Sequence, residues 1–266
     1  MSGPENQPAG GYDPAFFAAL AEAEDRHFWF RSRNDLISRL AARISTGLPP
    51  GHRVLEVGFG TGNVLRFLKR ACAGGDVFGM ELWPEGIRFA QGRNLDRLVQ
   101  GDLKAPPFRA VFDLVGLFDV LEHIPDDHAT LQAMSRLLAP RGCLLITVPA
   151  HAVLWSYFDE AAHHCRRYSP AALREVLARA GFQVEYLSQF MATLFPLVWL
   201  VRRVAAGGGV RSAARNRQLA QDEFRVIPLV NPLLNAILSL EVKWLSAGRT
   251  LPFGTSIVAI ARKIET

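Results

Sequence analysis

The sequence predicts an α/β fold: a doubly wound, largely parallel sheet with helices on both faces. Three observations carry this. Val54-Leu55-Glu56-Val57 is an apolar run that meets Gly58, Gly60 and Gly62, then passes directly into the helical period of Val64, Leu65, Phe67 and Leu68. Four more apolar runs follow, separated by helix-like segments, and such alternation builds parallel sheets. Glu56, Glu81, Asp102 and Asp119 lie at or near strand ends, where open α/β sheets bind ligands.

The elements follow in chain order. Residues 1–13 are glycine, proline and polar groups and read as a disordered tail. Residues 14–50 form an N-terminal helical arm. Pro14 suits a first helical turn, and Phe16, Phe17, Leu20 and Ala23, then Phe28, Trp29 and Phe30, then Leu36, Ile37 and Leu40, supply one or two apolar faces. Gly47-Leu48-Pro49-Pro50-Gly51 ends the arm. The core runs over 51–189. Its first strand is 54–57, its second 77–81, its third 98–103, its fourth 112–119 and its fifth 143–149, with helices at 84–93, about 127–138 and 170–180. Ser169 caps the last helix, Pro170 opens it and Gly181 stops it. A sixth strand covers 182–188, and a final core strand lies within 254–266. Residues 190–253 separate these last two, far more than an ordinary connection.

The glycine turn suits two cofactor classes. The dinucleotide fingerprint needs Gly-x-Gly-x-x-Gly, but that spacing leads from Gly58 and Gly60 to Asn63. The pattern present is Glu56-x-Gly58-x-Gly60-x-Gly62. An acid there repels a pyrophosphate and tolerates a cationic sulfonium. The turn resembles motif I of the class I S-adenosylmethionine (SAM) methyltransferases. His27-Phe28-Trp29-Phe30 with Arg31 and Arg33, and His164-x-Arg166-Arg167-Tyr168-Ser169, look like a bacterial subgroup of type-11 or type-23-like members. The resemblance covers about residues 50–190 and the final strand. It implies a seven-stranded Rossmann-like sheet of order 3-2-1-4-5-7-6, with strand 7 antiparallel. It also implies SAM as cofactor. Glu56, Gly58, Gly60 and Gly62 would line the methionine side. Glu81, beside Leu82, would hold both ribose hydroxyls. Asp102 and Leu103 would hold the adenine, and Asp119 would flank the transferred methyl.

Methyl transfer needs approach geometry, a dry pocket and, for a hydroxyl acceptor, a base. His123, His164 and Tyr168 are the catalytic candidates, with His151 and His163 as further histidines near strand ends. Asp119-Val120-Leu121-Glu122-His123 resembles the acidic-acidic-His element of the polyprenyl-dihydroxybenzoate O-methyltransferases, which contributes there to divalent-metal binding. Asp119 replaces the usual glutamate, and Leu-Glu-His also closes strands in metal-free enzymes, so no metal ligand is assigned. His164-to-Tyr168 could bind an acceptor, move a proton or fix the loop before Pro170. Arg31 and Arg33 could hold an anionic group of cofactor or acceptor.

The 266 residues are 49% hydrophobic, enough for a folded core. Cys72, Cys143 and Cys165 are far apart, which fits a reducing compartment and argues against a disulfide framework or structural zinc. The net charge is +5, concentrated around Arg202, Arg203, Arg211, Arg215 and Arg217. No interleaving of aromatic and basic residues suggests nucleic acid. The insertion holds two apolar stretches, 190–201 and 226–240. Both fall short of the ~18–20 residues that span a bilayer, and Pro196, Pro228 and Pro232 interrupt them. It could enlarge the core, form a lid with an apolar channel, or touch a membrane interface through residues 190–245. The expected partner is a small or lipid-like acceptor, and the expected location is cytoplasmic, with peripheral contact on the inner membrane face. Oligomeric state is left open. The expected activity is SAM-dependent methylation, on oxygen by preference. The alternative is a non-catalytic SAM-fold protein that engages a partner or membrane through its apolar insertion.

Overall fold

Seven strands form one sheet in the computed structural model, which describes residues 16–109, 111–206 and 212–265. They are β1 (Arg53–Val57), β2 (Asp76–Glu81), β3 (Leu98–Gln100), β4 (Phe112–Phe118), β5 (Leu138–Pro149), β6 (Phe182–Phe190) and β7 (Ser256–Lys263). The order is β3-β2-β1-β4-β5-β7-β6, with β1 to β5 parallel and β7 antiparallel to both neighbours. That is the expected topology. The expected tail at 1–13, Pro14 and the Gly207-Gly208-Gly209 run lie outside the described residues.

Successive strand residues face opposite sides, so the sheet has two cores. Val54, Leu114, Leu145 and Val258 pack on one side with α2 (Phe28–Ser45), α3 (Asn63–Ala71) and α10 (Val230–Ser246). Leu55, Val115, Leu144 and Ile257 pack on the other with α5 (Asp127–Leu137) and α7 (Pro170–Arg179). Each buried leucine or isoleucine contributes about 1.5–3 kcal/mol. β3 is shorter than its apolar run: pairing stops at Gln100, so Asp102 and Leu103 lie in the following loop. β5 starts five residues early, because Leu138 already pairs with Phe112 before a register shift.

The arm is two helices. α1 (Phe16–Ala23) ends in a turn, and His27 caps α2 by accepting from the Trp29 amide at 3.3 Å. Gly62 is the N-cap of α3, at φ 77°. A Cβ there would lie 2.8 Å from both Ala90 Cβ and Leu95 Cδ1. Left-handed strain and overpacking then add. Gly62→Ala should destabilise the protein by about 3 kcal/mol, read as a lower urea midpoint with an unchanged slope.

The chain leaves the sheet at Phe190 and returns at Ser256, which are register partners. Ser256 also pairs with Pro149 at the end of β5, so the insertion rises from the C-terminal edge of the parallel strands. It forms α8 (Phe195–Ala206), α9 (Ala213–Glu223) and α10. Its inner side joins the protein. Leu238, Val242 and Leu245 enter the core. Asn231 grips the arm, accepting from the Phe28 amide at 2.7 Å and donating to Arg26 O at 2.8 Å. Asn216 of α9 donates to Glu160 at 2.6 Å. The outer side stays exposed.

Candidate active site

The non-glycine residues that follow three strands at this edge are bent into the left-handed region: Asp119 after β4, His151 after β5 and Met191 after β6, at φ 54°, 58° and 59°. Such conformations cost of order 1–3 kcal/mol each and cluster at functional sites.

The glycine turn is held from below by Glu81. One carboxylate oxygen accepts from the Gly60 amide at 2.8 Å, and the other from Leu82 and Trp83 at 2.9 and 3.1 Å. Three of its roughly four acceptor positions are therefore taken by main chain. Glu81 was expected to receive both ribose hydroxyls; the geometry leaves about one acceptor position. Gly60 is open on its other side, where the nearest atom to an added Cβ would be Phe17 Cε1 at 3.7 Å. α1 thus forms a roof over the turn.

Glu56 is buried beside this turn, with one carboxylate oxygen making no hydrogen bond. Burial raises its pKa well above the usual carboxylate range; Arg33 pulls it down, and Glu81 and Glu24 push it up. Burial likewise raises Glu81 against the pull of its three amides. Glu24 and Asp25 close the arm onto the turn. Glu24 receives Thr61 and Arg93, and Asp25 receives Asn63 at 2.8 Å. None of Glu24, Asn63 or Arg93 was singled out from the sequence as a site residue, because each matters only through contacts between the arm and the core.

Asp119, expected beside the transferred methyl, is ion-paired with Arg33 at 2.5 Å. Arg33 is itself buried and stacks over Trp29, with its guanidinium carbon 4.8 Å from the ring centroid. Of the two arm arginines offered for an anion, Arg33 enters the site and Arg31 stays exposed. Asp102 is exposed and accepts from the Lys104 amide at 2.9 Å, capping its own loop. Leu82 and Leu103 are half-buried near the same strand ends.

Two of the three catalytic candidates come together. The rings of His123 and His164 meet edge to face, 4.7 Å between centroids. His164 Nδ1 lies 2.8 Å from Asp159 Oδ1. A carboxylate only accepts, so Nδ1 carries the proton and Nε2 is left basic. Asp159 is fully buried and also receives Arg167 Nε at 2.7 Å. Burial pushes its pKa up, but the His164 bond and the Arg167 charge outweigh this and hold it below the ordinary value. Burial, with His164 beside it, pushes His123 down to about 3, so its ring is neutral and a feeble proton acceptor. Asp159 was missed; the signal was its capping box with Ser156 on the short α6 (Tyr157–Ala161).

Tyr168 does not belong with them. Its ring is buried in the core beneath α5 and α7, and its hydroxyl donates to Asp127 at 2.9 Å. Burial and Asp127 raise its pKa, so it is a structural tyrosine and not a base. His151 meets Gln189 at 2.5 Å, and His163 is exposed.

Glu122, His123 and His164 bring three potential metal-ligand atoms within 4.8 Å of one another. One Glu122 oxygen is buried without a hydrogen bond, and burial with Asp119 nearby raises its pKa well above normal. The set has the donors for a divalent cation, with His164 standing in for Asp119, which Arg33 occupies.

Phe158 links this corner to the insertion. It lies 6.3 Å from His164 and 5.8 Å from Phe224, and Phe224 lies 5.4 Å from Phe30 of the arm. The result is an aromatic wall from the arm to His164.

Residues 25–187 match a family model described as "Methyltransferase domain". The chain is 31% identical over 160 residues to a ubiquinone biosynthesis O-methyltransferase of Xanthomonas axonopodis pv. citri. That match covers 53% of this chain and 66% of the relative, a little under two thirds of its length. Among solved structures, a Haloferax volcanii protein seen in complex with the Trm112 methyltransferase activator is similar over 95% of this chain and 97% of its own, with TM-score 0.59 and 19% identity. The Haemonchus contortus phosphoethanolamine N-methyltransferase 2, solved with S-adenosyl-L-methionine, is similar over 85% of this chain and 52% of its own, with TM-score 0.53 and 21% identity. At such identities the two structures speak for the fold alone. The family match covers more than half of the chain, and with the glycine turn and the strand order it makes this protein a member of the class I S-adenosylmethionine-dependent methyltransferase family.

Proposed function

We propose that the protein methylates a hydroxyl on a small, lipophilic acceptor, with His164 as the base. The observation that carries this reading is the Asp159–His164 pair, an imidazole fixed by a buried carboxylate beside Glu122 and His123. Methyl transfer to oxygen requires loss of the hydroxyl proton, and a positioned imidazole is the side chain most often used to take it. The aromatic wall of Phe30, Phe158 and Phe224 supports an apolar, ring-bearing acceptor. The O-methyltransferase relative supports the same class.

In this reading the main chain of Gly58, Gly60 and Gly62 approaches the cofactor. Glu56 receives the methionine ammonium and Arg33 its carboxylate. Glu81 receives one ribose hydroxyl, with Leu82 beside it. Asp102 and Leu103 take the adenine, and Asp119 holds Arg33 in place. A divalent cation on Glu122, His123 and His164 would lower the pKa of a bound phenol and leave His164 as ligand instead of base. The acceptor's entry from a membrane, and a cytoplasmic location beside it, fit the apolar insertion.

The test is transfer of a tritiated methyl group from SAM into phenolic lipids, with and without a chelator. Label recovered as an ether in the organic phase is the expected result. Label only in water-soluble amines would overturn oxygen as the target, and activity abolished by the chelator would move His164 from base to metal ligand.

A further inference from the structure

The insertion is both the most basic and the most openly apolar part of the molecule. Residues 190–253 hold eight lysines and arginines against three acids, so they carry the entire formal net charge of +5 and the remainder is balanced. α8 is apolar on both sides. Its inner side packs Val198 against the core and sends Arg202 to Leu154 O at 2.7 Å. Its outer side presents Leu197, Leu200, Val201 and Val204, exposed by 49–72%, at the i, i+3, i+4, i+7 spacing of one helical face. α10 repeats the arrangement with Leu233, Leu240 and Trp244 outward, after the fully projecting Leu229. Helix faces of this kind mark an interaction surface. Arg203 lies over Trp199 at 5.7 Å and Arg249 over Trp244 at 4.2 Å. Such pairs combine an apolar body with a cationic tip, the chemistry of a lipid headgroup boundary.

We propose that the outer faces of α8 and α10 dock the enzyme on an anionic lipid surface, lying in the interface without crossing it. No helix among the described residues is long and apolar enough to cross a membrane. Charge selects the occupant. A second copy would set one cationic segment against another, whereas anionic headgroups complement Arg203, Arg215, Arg225 and Arg249. The insertion rises from the sheet edge that carries the site, so docking would bring a lipophilic acceptor to His164 by a short path. The docking claim goes beyond methyl transfer and does not depend on which atom is methylated.

The test is sedimentation of the full chain with vesicles of phosphatidylcholine alone and of phosphatidylcholine mixed with phosphatidylglycerol. Binding to the mixed vesicles, weakened by salt, is expected. Arg203→Gln should weaken it about fivefold, the worth of one basic side chain at such a surface. Leu200→Asp with Val204→Asp should abolish it and leave S-adenosylhomocysteine binding intact, because both side chains point to solvent. Equal binding to both vesicle types, or none, overturns the proposal. So does a dimer in light scattering that the paired aspartates split, since a second copy would then own the face. Retained S-adenosylhomocysteine binding in each case separates this failure from failure of the methyltransferase reading.

Discussion

His164→Ala should lower kcat by about a hundredfold to ten-thousandfold, the usual worth of a positioned base, and leave the KM for SAM unchanged. The proposed cofactor side is built from Glu56, Glu81 and the glycine turn, away from the imidazole's Asp159 and His123 neighbours. Asp159→Asn should lower kcat as well, because the imidazole loses the carboxylate that fixes its ring. That variant also strips Arg167 of its buried partner, at a cost of about 3–5 kcal/mol in stability, so its melting temperature should fall while that of His164→Ala falls less. An unchanged kcat in His164→Ala would assign proton removal elsewhere.

Glu81→Ala should weaken S-adenosylhomocysteine binding about a hundredfold in calorimetry. The estimate takes one charge-assisted hydrogen bond to the ribose at about 1.5–3 kcal/mol and adds the loosening of a turn whose Gly60, Leu82 and Trp83 amides lose their acceptor. The pH dependence has a definite sign. Burial raises both Glu56 and Glu81 above the ordinary glutamate value. In the proposed site, as pH falls through those raised values Glu56 stops attracting the methionine ammonium and Glu81 stops accepting as a charged group from the ribose, so cofactor affinity should fall with pH and binding should release protons. Stability runs the other way. The folded state holds these protons more tightly than the unfolded chain, so this contribution is fully present below the ordinary glutamate range. It is lost as pH rises to the raised values. Calorimetry in two buffers of different ionisation enthalpy reads the proton release directly.

The sheet was legible because its signals are local. A strand, three glycines and a helix start are contiguous, and the period change from strand to helix repeats down the core. Glu56 and Glu81 were singled out for the same reason: they flank that local pattern. The rest of the site is made by pairs far apart in sequence. Arg33 reaches Asp119 across 86 positions, and Asn231 reaches Arg26 across 205. Nothing in either local sequence announces the other. Asp159 went unremarked because its use depends on His164 folding back five positions beyond a short helix. Tyr168 was grouped with His164 by proximity in sequence, yet it bridges to Ala150 and turns its ring under the sheet, while the histidine stays above. The shortened β3 left Asp102 on a loop whose geometry its own Lys104 amide decides.

The grip of Asn231 on Arg26 and Phe28 ties the start of the chain to its last quarter. A ribosome makes the arm first and its fastening last. Until α10 and β7 are made, the arm lacks its clasp and β6 has no strand to join it to β5. A polypeptide cut short after β6 would therefore lose both the fastening of its arm and the strand that seats β6 in the sheet.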